Sequence, residues 1–200
     1  MVVASALYSF GVMAAPVVVN GCQIQPKAQC PGVNLANADL RGVDLSGANL
    51  AGAKLTGANL SNANLSGAKL SFAVLVRANM QGAKLVGADL KESSLNLANL
   101  TSADLTSANL QYAVLERTNL NSAVLQNADF SGADLIETDM TNARLSAAKF
   151  SASRVAAVKG AALNSTNTAP TSALPERAST SQKVIHSNID NQNTVTDLAP

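Results

Sequence analysis

Seven aspartates and eight asparagines share one position in this 200-residue chain, each standing directly before a large apolar residue. Carboxylates held close together can do acid–base work or grip a hard cation. Here, however, the same arrangement recurs from Asn34 to Asp139, as in Ala38-Asp39-Leu40 and Ala58-Asn59-Leu60. Spacing that repeats at every level belongs to the fold, so no catalytic residue, metal ligand or cofactor contact is assigned to these side chains. The single histidine, His186, lies in a polar stretch near the end of the chain and is read as a bystander. Asn59, Asn64, Asn99 and Asn164 head Asn-x-Ser/Thr triplets, but three of these follow automatically from a recurring Asn-Leu-Ser/Thr and say nothing of glycosylation. The two cysteines, Cys22 and Cys30, are eight residues apart. A bridge between them fits an exported protein, whereas two unpaired thiols, with Cys30 as a small buried hydrophobe, fit an intracellular one.

The elements that must position these groups follow from a period of five. Every position divisible by five from Leu35 to Phe150 is large and apolar: 20 of these 24 are Leu, and the rest are Met80, Phe130, Met140 and Phe150. Two residues before each stands a small one, Ala in 19 cases, replaced elsewhere by Val33, Val43, Ser93, Thr118 and Thr138. A flat strand would throw successive leucines to opposite faces. An α-helix would smear them around its circumference, since five residues advance about 140°. The pattern requires a chain that turns a corner at each repeat, returning every Leu to a common axis. One such unit cannot bury its own Leu, so stacked coils are needed. The chain is a solenoid.

Units such as Ala48-Asn49-Leu50-Ala51-Gly52 and Ala58-Asn59-Leu60-Ser61-Asn62 resemble the pentapeptide-repeat family over about 125 of the 200 residues. The resemblance implies an all-β fold, a right-handed quadrilateral (four-sided) parallel β-helix with four repeats per coil. It also implies that the central Leu and the small residue two before it point inward. Twenty-four repeats then make about six coils, roughly 29 Å long at a strand spacing of about 4.8 Å. In this frame the residues before Leu stack by twenties, one column being Asp39, Asn59, Asn79, Asn99, Asn119 and Asp139. Certain family members mimic duplex DNA and regulate or protect type II topoisomerases. Those rods are strongly acidic, whereas residues 31–150 carry ten acids against nine bases. DNA mimicry therefore stands as the alternative reading.

The ends differ in composition. Within residues 1–21, Met1 to Val19 are almost wholly apolar or small and run through Val12-Met13-Ala14-Ala15-Pro16, so that 1–21 reads as a signal peptide lacking a basic start. The competing reading is an apolar segment packed on the first coil, and with it a cytoplasmic protein. Val19-Asn20-Gly21-Cys22 offers a further reading, a lipid anchor at Cys22, weakened by Asn20. Residues 22–32 are expected to cap the first coil, with Cys30 on the five-residue grid. The β-helix is assigned to 33–152. Over 153–163, Val155, Val158 and Ala162 are spaced for a short capping helix that Ser151 or Ser153 would start. Residues 164–200 turn to Ser, Thr, Asn, Gln and Pro and read as a disordered tail.

Charge is balanced, 14 Lys and Arg against 13 Asp and Glu, so neither a nucleic-acid partner nor a membrane span is expected. The leading expectation is a non-enzymatic, secreted or periplasmic structural or protein-interaction module. Of the four faces, the one centred on Leu35, Leu55, Leu75, Leu95, Leu115 and Leu135 departs most from the repeat. It places Val74, Val76, Leu97, Val114 and Ile136 outward, with Arg77, Glu116, Arg117 and Glu137 around them. Apolar side chains rimmed by charge mark a protein-interaction face, self-association included. The competing reading is that β-branched residues merely suit strands, or that the face is covered by another part of the chain.

Overall fold

The computed structural model describes residues 17–160. It opens on a hairpin of β1 (Val17–Val19) and β2 (Cys22–Ile24), antiparallel with Val17 opposite Ile24 and Val19 opposite Cys22. Asn20 and Gly21 form its two-residue turn with φ of 48° and 79°. Asn-Gly is the pair that tolerates two positive φ values in succession, and such a turn matches the twist of the flanking strands.

Beyond the hairpin the residue before each Leu pairs in parallel with the residue twenty further on, from Gln29 with Asn49 to Asp139 with Lys159. One coil is therefore four repeats, and the chain is a right-handed quadrilateral β-helix. A single repeat, Ala58–Asn62, shows why five residues suffice for one side. The Ala58 amide donates to Leu55 O within the coil, and the Asn59 amide to Ala38 O of the coil before. Leu60 and Asn62 donate to Asn79 O and Gln81 O of the coil after. The fifth amide, Ser61, donates to the Oδ1 of Asn59 itself. All five N–H groups are satisfied, four by main chain and one by the Asn side chain.

Leucines and alanines fill the interior. Leu35 through Leu135 are fully buried, with Ala48 through Ala133 beside them. Phe130 and Phe150 stack with ring centroids 5.1 Å apart. Where Ala is replaced by a polar residue, its hydroxyl finds main chain: Ser93 donates to Leu90 O, Thr118 to Leu95 O and Thr138 to Leu115 O.

Both ends depart from the sequence expectation. The expected helix over 153–163 is absent from its described part, 153–160, where the coil continues. Arg154 bridges Asp134 and Lys159 bridges Asp139, while Ala152 and Ala157 keep the positive φ of earlier corners. The preceding coil presents a row of N–H and C=O groups in register. Pairing with that row satisfies the backbone and still lays Val155 and Val158 on the core. Three apolar residues at helical spacing offer less. At the other end the segment assigned to a leader, 1–21, ends too late. Val17–Gly21 belong to the hairpin, and Val19 is buried in the core. Pairing also begins before residue 33, since Lys27 and Cys30 already donate to Ser46 O and Asn49 O. The rest of the segment read as a leader, and the polar tail, lie outside the described residues, as do His186 and Asn164.

Candidate functional site

The acidic and amide columns are occupied by the fold. Oδ1 of Asn59, Asn79 and Asn99 each accepts an amide two residues on. Asn79 and Asn99 then donate from Nδ2 to the Asn one coil earlier, each at 3.3 Å. Asp44 and Asp89 similarly accept both a local amide and an Asn from the next coil. Their oxygens hold corners closed. Among the described residues no three His, Cys, Asp or Glu side chains converge as a metal site would require.

The remaining ion pairs lie outside. Arg41 grips Asp39 at 2.7 Å, and Arg117 grips Glu137 at 2.7 Å across one coil. Arg154 pairs with Asp134 in the same way. Hydrogen bonding to the guanidinium holds the Asp39 and Glu137 carboxyls below their ordinary range, and the Thr141 hydroxyl does so for Asp139. A carboxyl depressed in the folded state contributes stability above its unfolded pKa and loses it as pH falls through the folded one. Thermal stability should therefore hold level from neutral pH to about 5 and decline below about 4, gently because these groups are exposed. A melting temperature that rises below about pH 4 in a thermal melt series would contradict this.

Cys22 and Cys30 are bonded, with Cα atoms 5.5 Å apart. Cys22, the first residue of β2, is buried and Cys30 sits at the mouth of the first coil. A thioether to lipid at Cys22 and this bond exclude each other. Asn20 fastens the hairpin by donating from Nδ2 to Asn34 O at 2.6 Å.

The face over Leu55, Leu75, Leu95, Leu115 and Leu135 is where outward chemistry gathers. Its floor is Val74, Ser94, Val114 and Asp134 in one column and Val76, Asn96, Glu116 and Ile136 in the next, all half-buried. Oδ1 of Asn96 is buried there without a hydrogen-bond partner. Arg77, Leu97, Arg117 and Glu137 stand at the corner on one side of this floor. Residues overlooked in the sequence stand at the other: Phe72 and Tyr112, 58% and 59% exposed, with Glu92 between them.

These corners matter because of their backbone. Each corner residue has positive φ, 60° at Phe72, 61° at Leu97 and 59° at Tyr112. An L side chain there costs on the order of 1 kcal/mol, which glycine avoids and asparagine tolerates. The other two edges behave accordingly. One carries Gly42, Asn62, Gly82, Ser102, Ser122 and Asn142, the other Gly47, Gly67, Gly87, Ser107, Asn127 and Ala147. Large side chains flank a single face, in the strained conformation, and Phe72, Leu97 and Tyr112 bury little in return. Tyr112 lies over Gly132, where a Cβ would come within 2.6 Å of its ring. Lys91 Nζ stands 6.0 Å from the centre of the same ring. The result is a trough along the solenoid, with a floor of four apolar and four polar side chains between two walls that carry large side chains except at Gly132.

Comparison with known proteins comes down to the repeat. A family profile described as pentapeptide repeats matches in 8 copies, over residues 28–67, 58–96, 83–121, 98–135 and 114–151. No curated protein sequence matches the chain. Among solved structures, QnrB1, a plasmid-mediated fluoroquinolone resistance protein, is similar at 22% identity over 72% of this chain and 82% of its own, with a TM-score of 0.40. A pentapeptide repeat protein from Nostoc Pcc 7120 is 34% identical over 54% of this chain and 84% of its own, TM-score 0.30. Another, from the Arabidopsis thaliana thylakoid lumen, is 29% identical over 57% of this chain and 67% of its own, TM-score 0.29.

Proposed function

Because the chain belongs to the pentapeptide-repeat family, we propose that it is a non-enzymatic, exported protein-interaction module whose working surface is the trough over Leu55–Leu135. The observation that carries this reading is the asymmetry of the corners. Two edges keep the small residues that the turn favours, whereas on the two bordering this face seven of the eight corners from Phe72 to Glu137 carry large side chains, Gly132 being the exception. Large side chains at strained, exposed positions lower stability, so their presence on one face argues for a use in binding. Export is supported by the apolar run before Val17 and by the bonded cysteines of the cap. Among the described residues no helix is long and apolar enough to cross a membrane.

The test is the double change Leu97→Asn with Val114→Asn. Both positions face outward, Leu97 at 44% exposure and Val114 half-buried, so melting should shift little. Sedimentation and recovery of partners from the native extract should both change relative to the unsubstituted protein. Identical oligomeric state and identical recovered partners would remove this face from consideration.

A further inference from the structure

Resting on that reading of the trough, we propose its occupant: a second copy of this chain, packed antiparallel about a two-fold axis that lies along the strands between the Leu95 and Leu115 coils. Such an axis reverses the order of coils but leaves each column facing the same column of the other copy. The Leu75 coil then meets the Leu135 coil, and the Leu95 coil meets the Leu115 coil.

Most residues along the trough match under this operation, although Val74 is set against Asp134 and Leu97 against Arg117. Arg77, which has no ion-pair partner among the described residues, faces the other copy's Glu137, whose carboxylate would then lie between Arg77 and its own Arg117. Val76 faces Ile136, and Ser94 faces Val114. On the aromatic wall Phe72 comes opposite Gly132, the bare corner over which the Tyr112 ring lies, so the two rings meet across the axis. The Asn96 carboxamide faces the Glu116 carboxylate, to which its NH2 can donate. Every one of these contacts occurs twice, as a two-fold interface requires.

Charge fixes the register. With the axis moved onto the Leu95 coil, Arg77 would oppose Arg117. With it on the Leu115 coil, Arg117 would oppose its own copy and Arg77 would face Ala157. Only the intermediate position sets Arg77 against an acid. Four coils at about 4.8 Å make a short interface, so association is weak and must be sought at high protein concentration.

The experiment uses the full chain in sedimentation equilibrium up to millimolar concentration. The unsubstituted protein should show a monomer–dimer equilibrium. Arg77→Glu alone and Glu137→Arg alone should each weaken it by at least about tenfold, because each homodimer then opposes like charges twice. An equimolar mixture of the two variants should recover association. In the mixed pair one contact sets the two introduced side chains, now opposite in charge, against each other, and the other is the native Arg77 against Glu137. Circular dichroism identical to the unsubstituted protein would show that both variants are folded. A strict monomer, a dimer indifferent to both changes, or a mixture no stronger than its components would overturn the proposal. A monomer that still loses a recovered partner on Leu97→Asn with Val114→Asn would overturn the two-fold pairing while leaving the trough as a binding face for another protein.

Discussion

Leu105→Asp will unfold this protein. Leu105 is fully buried in a central coil, with Leu85 and Leu125 one coil away on either side. A carboxylate there loses its water and gains no partner, a penalty of several kcal/mol at least. Leu105→Ala, which merely leaves a hole, should already cost about 2–5 kcal/mol. The damage also spreads along the solenoid, because each coil's amides are satisfied by its neighbours. Leu105 donates to Val124 O, and Asp104 donates to Ala83 O. Coils on both sides of the lesion lose those pairings together. The expected result is loss of the far-ultraviolet signal and insolubility, whereas Ser107→Asp, two residues on at an exposed corner, should behave as the unsubstituted protein. Soluble Leu105→Asp protein with an unchanged spectrum would mean that the inward assignment is mistaken.

Reduction of the Cys22–Cys30 bond is expected to produce the second large effect. The bond closes a loop of eight residues' separation. In the chain-entropy account a closure of this size is worth about 2–3 kcal/mol. Its structural consequence is local to the first coil. The hairpin that it pins carries Val19 and Cys22 onto the core, and an unpinned hairpin would open that end to water. Protein from its native compartment should show no titratable thiol until unfolded and reduced, and reductant should lower the melting temperature. Two thiols titrating in that protein would contradict both the bridge and the export reading.

The five-residue grid was legible in the sequence because it is local and unbroken, and its spacing excludes both common periodic elements. The role of Asn and Asp before Leu was only half legible. Their recurrence showed that they belong to the fold, but the bond from Ser61 N to the Asn59 side chain emerged only with the coil. The C-terminal end was misread because a helix is signalled locally, whereas the pull on Arg154 and Lys159 comes from residues twenty positions earlier. The hairpin had a signal, Asn20-Gly21 between Val17-Val18-Val19 and Cys22-Gln23-Ile24, that the apolar run before it obscured. Phe72 and Tyr112 were overlooked for a geometric reason. They follow Leu70 and Leu110 by two residues and so count with the preceding face, although the corner that they occupy borders the next one. Comparing corner columns would have found them, since an aromatic where glycine, asparagine or serine fits best stands out without any structure.

The proposal that one face of the four is the working surface is tested most directly by a face-by-face substitution scan. Four variants are compared, each changing two outward residues of one face: Leu97→Asn with Val114→Asn on the trough, and Ser61→Gln with Gln81→Ser, Val86→Thr with Gln126→Ser, and Ser71→Gln with Gln111→Ser on the others. All eight positions lie outside the core, so all four proteins should melt close to the unsubstituted one. Association and partner recovery, measured together at matched concentration, should fall in the trough variant and hold in the other three. Loss in any of those three with none in the trough variant would place the functional surface elsewhere on the solenoid.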